Sequence, residues 1–321
     1  MSFDHRDFAL CCGEVCEIKN TRIYIIRTQK DQQLIDGLRS DDDGVLAEAA
    51  GALTRLTPGL VAWLLDRTLA GQDFVFHLQA NADIRENLAY PRKNVDQNII
   101  ATQNLLEAMR ANGVKRIAFS STGSVYGEPE VFPTPENAPF PIQTSLYATS
   151  KVACEGLLSS YALGYGFTSW VFRFVSIMGP RYTHGHVFDF VKRLRKDPST
   201  LHILGNGKQL KSYCHVEDCV NAIFSAVKVG DDAGKYHVYN IGRPDMLEVN
   251  TSVSYIVREL GLSPKLTYEG GERGWVGDSP KILLDIAKLR ALGWEPKHSL
   301  EASVVDTVRY LVQNPWTMDR R

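Results

Sequence analysis

The chain has 321 residues, 44% hydrophobic and 23% charged, enough for one large or two unequal globular domains. Its formal net charge of −1 excludes a global field that would recruit nucleic acid or an anionic membrane. No apolar run reaches the roughly 18 residues needed to span a bilayer, and no basic segment with an apolar core opens the chain.

The first 70 or so residues are the least legible, with an acidic turn at Asp41-Asp42-Asp43 and an Ala-rich stretch from Val45 to Leu53. From about residue 73 to 243, apolar runs alternate with helical patterns, as a βαβ series requires. Phe74 to Leu78 is a near-continuous apolar run, typical of a strand buried on both faces. Val95, Ile99, Ile100, Leu105, Leu106 and Met109 recur at helical spacing between Asn94 and Ala111, and Gly113 stops that helix. Strands are expected at Lys115–Ser121 and Thr168–Phe174, with a long helix at Leu146–Gly164 between them. Beyond that, Gly179-Pro180, Asp197-Pro198 and Gly205-Asn206-Gly207 punctuate shorter elements, as in a smaller appended domain. Val216–Val227 is again helical, Tyr236–Ile241 again a strand, and a helical part runs from Val249 to Leu311.

Six cysteines, at 11, 12, 16, 154, 214 and 219, match no paired CxxC pattern. Reduced thiols of a cytoplasmic protein are expected, with no metal. His184 and His186 lie in a loop where solvated histidines are the ordinary finding.

Tyr147 and Lys151 stand one turn apart on the same face of the predicted helix. A phenol titrates near 10, and a lysine cation beside it favours the phenolate. By itself a Tyr-x3-Lys spacing is common on solvent-facing helices. Here it follows a second feature: Ser120-Ser121-Thr122-Gly123-Ser124-Val125-Tyr126-Gly127 comes straight after a predicted strand, where an open α/β sheet binds its ligands. A hydroxyl from that turn can share a hydrogen bond with an oxygen that Tyr147 deprotonates.

SSTGSVYG followed by YATSK resembles the active site of UDP-galactose 4-epimerases and their relatives in the extended short-chain dehydrogenase/reductase family. HLQANADIR at 77–85, GPRYTHG at 179–185, GNGKQLKSYCHVED at 205–218 and GERGWVGD at 271–278 fit the same family, so the likeness covers about Asp73 to the C-terminus. The resemblance implies an α/β, doubly wound parallel sheet (Rossmann-like) with a smaller mixed C-terminal substrate domain. Residues 1–174, with 215–243 returning, would bind NAD, and 175–214 with 244–321 would bind the substrate. It further implies a catalytic Thr122, Tyr147 and Lys151. Tyr147 takes the proton of the sugar 4-hydroxyl, Thr122 holds that oxygen, and Lys151 binds the nicotinamide ribose. Asn98 would line the cofactor pocket, and Ser176, Lys211, Arg273 and Asp278 would serve the sugar nucleotide. Gly205 and Gly207 would let backbone approach the nucleotide. A cytoplasmic homodimer acting on UDP-hexose for polysaccharide synthesis is the family expectation. Gly123 and Ser124 occupy the positions where dehydratase relatives carry an Asp-Glu pair, so elimination chemistry has no acid and base there.

The start departs from the family. A dinucleotide turn needs glycines so that backbone amides reach the pyrophosphate. Gly13 is the candidate first glycine, and Cys16 and Lys19 then occupy the other two places. Asp36 falls about where the ribose-binding acid belongs, roughly 20 residues on. Trp63 aligns with the acid near the adenine, and Asp66 is the nearest carboxylate. Gln79 replaces a small residue beside the pyrophosphate path. Two readings remain open: an active NAD-dependent 4-epimerase whose start is misassigned, or a silent sugar-nucleotide-binding homologue that acts through a partner.

Overall fold

The computed structural model describes residues 16–18, 21–26, 65, 68–82, 89–140, 142–229, 235–272 and 281–319. In chain order, β1 (Cys16–Ile18), β2 (Thr21–Ile26) and β3 (Phe74–His77) are followed by α1 (Pro91–Asn94), a π-helical turn at Val95–Ile100, and α2 (Ala101–Ala111). Next come β4 (Arg116–Thr122), a 3-10 turn at Gly123–Tyr126, α3 (Leu146–Tyr165), β5 (Thr168–Phe174), β6 (Ser176–Met178) and α4 (His186–Lys196). β7 (Thr200–Ile203), β8 (Leu210–Lys211), β9 (Tyr213–His215), α5 (Val216–Val229), β10 (Tyr236–Ile241) and β11 (Leu247–Glu248) continue the chain. It closes with α6 (Val249–Leu260), β12 (Lys265–Tyr268), β13 (Lys281–Ile282), α7 (Ala287–Arg290), α8 (Leu300–Gln313) and α9 (Trp316–Asp319).

The main sheet has six strands in the order β1-β2-β3-β4-β5-β10. β2 runs parallel to β3, with Ile26 opposite His77, and β3 runs parallel to β4, with His77 opposite Phe119. This is the expected Rossmann-like α/β architecture. One edge departs from it: β1 pairs with β2 antiparallel, Glu17 opposite Arg22. The strand lying in parallel beside β3 is therefore Thr21–Ile26. Gly13 precedes that strand in the chain, whereas a pyrophosphate turn has to follow it.

Contacts divide the chain into two compact units, one from 1–125, 143–173 and 227–238, the other from 126–142, 174–226 and 239–321. In the first, all four residues of β3 are buried. Val75, Ile117, Phe119 and Val171 from the strands pack against Leu105, Leu106 and Met109 of α2 and Cys154 and Leu158 of α3. α3 begins where Ser145 accepts the Ala148 N–H, and it ends at Gly166, whose φ of 72° a Cβ would disfavour. The helix expected from Asn94 to Ala111 is interrupted by the wider turn at Val95–Ile100. Side chains from outside the helix take the carbonyls there: Gln79 donates to Gln97 O at 2.6 Å, and the Cys154 thiol to Asn98 O at 3.4 Å.

In the second unit, α4, α6 and α8 bury Val187, Val191, Leu194, Val253, Ile256, Val304 and Val308 against Leu201 and Ile203 of β7. β6 runs parallel to β9, β7 to β12, and β8 lies between β11 and β13. The stretch expected to be helical from Val249 to Leu311 thus carries two short strands, each paired with an earlier one. Local periodicity could not report such pairings. Buried Asn240 clasps the loop at 126–142: its amide accepts from Tyr126 and donates to Thr134 O and Asp285 O, and its N–H donates to Glu136. No helix among the described residues is long and apolar enough to cross a membrane.

Candidate active site

The end of β4 and the first turns of α3 bring the predicted group together. Strand alternation turns Ile117, Phe119 and Ser121 toward the helices, and Thr122 closes the strand just before the 3-10 turn. Thr122 Oγ1 accepts the Ser124 N–H at 3.1 Å and shares a hydrogen bond with the Tyr147 phenol. Lys151, one helical turn beyond Tyr147, is 1% exposed. Its Nζ donates to Ser120 O at 2.6 Å and lies 4.4 Å from the centre of the Phe119 ring.

Electrostatics here differ from the expectation of an acidified phenol. Burial pushes the Tyr147 phenol up to about 12, against the opposing hydrogen bond from Thr122. Lys151 is brought down to about 8, again by burial, with Cys154 and Glu155 pulling the other way. The ammonium is directed at a strand carbonyl, and burial is the largest influence on the phenol. His77, buried on β3, bonds Thr102 at 2.9 Å and is held down at about 3 by burial and then by Lys151.

Asn98 is buried and fully engaged. Its Oδ1 accepts the Asn81 N–H at 2.7 Å, and its Nδ2 donates to Asn81 O, Asn94 Oδ1 and Ser150 Oγ. Ser150 in turn donates to Tyr147 O at 2.7 Å. Asn98 therefore links the loop after β3 to α3. Gln79 is also buried, its amide spent on Gln97 O.

Of the substrate-side candidates, Ser176 and Lys211 lie in the second unit. Ser176 is exposed on β6 opposite Tyr213, and Lys211 is half-buried on β8 opposite Leu247. Gly207 has φ 75°, and a Cβ there would stand 2.2 Å from Asn250 Oδ1, so its close approach is to Asn250. His184 is exposed, whereas His186 is half-buried and bonded to Ser252 at 2.7 Å and Tyr213 at 3.2 Å. Gly13, Asp36, Asp66, Arg273 and Asp278 fall outside the described residues.

His215, Glu217 and His298 bring donor atoms within 4.8 Å of one another. The two rings stack at 4.0 Å with 22° between planes. A cation lies in the plane of each imidazole that binds it, and two nearly parallel planes offer no shared position at ligand distance. Asp218 takes His298 Nδ1 and the Lys297 and His298 N–H groups, so this cluster ties the start of α5 to the approach to α8.

Sequence reasoning missed the buried network beside Lys151. Glu155 accepts from Ser121 Oγ at 2.5 Å and pairs with Arg173 at 2.7 Å. Glu155 follows Lys151 by the spacing that separates Lys151 from Tyr147, and that repeated step of four was the available signal.

A parallel sheet with a hydroxyl-bearing turn at a strand end, beside a Tyr-x3-Lys helix, defines a short-chain dehydrogenase/reductase. The chain belongs to the NAD dependent epimerase/dehydratase family, whose model matches residues 59–242. A UDP-glucose 4-epimerase of Corynebacterium glutamicum is 27% identical over 286 residues, covering 84% of this chain and 83% of that protein. The crystal structure of Thermotoga maritima UDP-glucose 4-epimerase with UDP-glucose superposes with a TM-score of 0.73 at 28% identity, over 91% of this chain and 99% of that one. The Bacillus cereus UDP-glucuronic acid 4-epimerase, in complex with UDP-glucuronic acid and NAD, gives 0.70 at 25% identity over 78% of each chain.

Proposed function

We propose that the protein is a cytoplasmic nucleotide-sugar 4-epimerase acting on a UDP-hexose through a transient 4-keto sugar. The observation that carries this reading is the Thr122–Tyr147 hydrogen bond with buried Lys151 one turn along the same helix. The donor set suits the nicotinamide end of a dinucleotide: an ammonium for ribose hydroxyls, and a phenol and a hydroxyl for the substrate oxygen. When bound, NAD supplies the reversible hydride acceptor at C4, and its positive ring favours the phenolate.

Tyr147 takes the proton from the sugar 4-hydroxyl and returns it when the opposite face of the ketone is reduced. Thr122, already bonded to the phenol, holds the 4-oxygen within the same hydrogen-bond array. Burial raises the phenol's pKa and the Thr122 bond opposes it, so that bond together with the positive ring of a bound cofactor would favour the phenolate that accepts this proton. Asn98 supports the cofactor pocket by holding the backbone at Asn81. Ser176, Lys211, Arg273 and Asp278 are assigned to the sugar nucleotide and Asp36 and Asp66 to the adenine side, whereas Gly13, ahead of β2, is left without a place in the pyrophosphate turn. A homodimer through α2 and α3 belongs to the same reading; on that unit Leu163 is 81% exposed and Ile100 43%.

A second reading is favoured by one observation: the stretch from Arg27 to Asp36, which follows β2, contains no glycine. On that reading the protein binds sugar nucleotide without turning it over. Purified protein distinguishes the two. Released NAD and interconversion of UDP-glucose and UDP-galactose are expected for the enzyme, and Tyr147→Phe should lower turnover at least about a hundredfold. Absence of any dinucleotide together with no interconversion selects the silent homologue.

A further inference from the structure

Three consecutive residues at the end of β4 are each tied to one of three residues spaced a turn apart on α3. Thr122 bonds Tyr147, Ser120 O accepts Lys151 Nζ at 2.6 Å, and Ser121 Oγ donates to Glu155 Oε1 at 2.5 Å. The third tie involves no group of the proposed chemistry, yet it sits between the other two in sequence and one turn beyond them on the helix.

Glu155 is itself clamped. Arg173 of β5 reaches it through Nε at 3.1 Å to Oε1 and Nη2 at 2.7 Å to Oε2, a two-point grip that fixes the plane of the carboxylate. Both side chains are about as buried as the core, Glu155 at 3% and Arg173 at 4% exposure. Tyr236 of β10 donates to the Glu155 carbonyl at 3.3 Å. The groups bonded to the carboxylate are therefore Arg173 from β5 and Ser121 from β4, with Tyr236 from β10 at the Glu155 backbone and close enough to feel its charge, and Lys151 and Cys154 nearby on its own helix. A buried ion pair contributes little net stability compared with apolar packing, so its conformational role is the more informative one.

We propose that Glu155, clamped by Arg173, is a positioning residue: through Ser121 it fixes the end of β4 against α3 and so sets where Lys151 and Thr122 stand. This rests on the epimerase reading for its kinetic consequence, but its structural content does not need turnover. Two arms test it on the full chain.

In the kinetic arm, Ser121→Ala keeps the Glu155–Arg173 pair and removes only the link. Its kcat should fall about tenfold, the worth of one hydrogen bond to a charged group, with KM for UDP-glucose unchanged. Ser121→Thr should restore kcat, and Ser121→Ala added to Glu155→Gln should cost nothing beyond Glu155→Gln alone. In the second arm, NMR of 13C-labelled lysine follows the Lys151 titration. Its midpoint should move away from about 8 in Ser121→Ala and return in Ser121→Thr. A Ser121→Ala protein with wild-type kcat and an unmoved midpoint overturns the proposal. Should the wild type not epimerise, the titration arm alone decides the positioning role, while the epimerase reading fails separately.

Discussion

Replacing Lys151 with methionine keeps the length of a buried side chain and removes its charge. Burial lowers the ammonium from 10.5 to about 8 against the pull of Cys154 and Glu155. A base held lower in the folded than in the unfolded state binds fewer protons when folded. Its contribution to stability therefore rises with pH from about 8 to about 10.5. At 1.36 kcal/mol per pH unit the full gap is about 3 kcal/mol, of which about 2 kcal/mol is regained between about pH 7 and about pH 9.5. Other groups titrate in this window, including the buried thiols of Cys214 and Cys219, whose pKa values burial raises. They act in both proteins, so the difference between variant and wild type isolates Lys151. Urea unfolding at the two pH values supplies that difference. The stability of Lys151→Met relative to wild type should drop by about 2 kcal/mol on going to the higher pH. A difference that stays flat, or grows in the variant's favour, would refute the view that desolvation dominates this lysine.

Breaking the Glu155–Arg173 pair from one side, by Glu155→Gln, should cost about 3–5 kcal/mol in urea unfolding, because a buried guanidinium is left without its counter-charge. Replacing both with apolar residues of similar volume should cost less than the single change. Asn240→Ala should destabilise by about 3 kcal/mol in the same assay, since the Tyr126 hydroxyl and the Thr134 and Asp285 carbonyls lose their shared partner. Gly207→Ala and Gly113→Ala make a matched pair for thermal unfolding. Both glycines have positive φ, but only at 207 does a Cβ collide, with Asn250 Oδ1 at 2.2 Å, so the Gly207 variant should melt at the lower temperature.

Where a feature is written in consecutive residues, the sequence alone determined it. The apolar run at Phe74, the strands at 168–174 and 236–241, and the helix carrying Tyr147 and Lys151 follow from local periodicity and flanking glycines. The same residues put Thr122 at the end of a strand that precedes that helix, with the loop from 127 to 145 between the turn and the helix. Tertiary structure decided the rest. The partners of Asn98, Gln79 and Glu155 come from distant segments, and no spacing rule names them. The reversal at Tyr147 was decided there too: a phenol's neighbours in sequence supply a cation, but its pKa depends on how much water the fold removes, and that is set by everything packed around it.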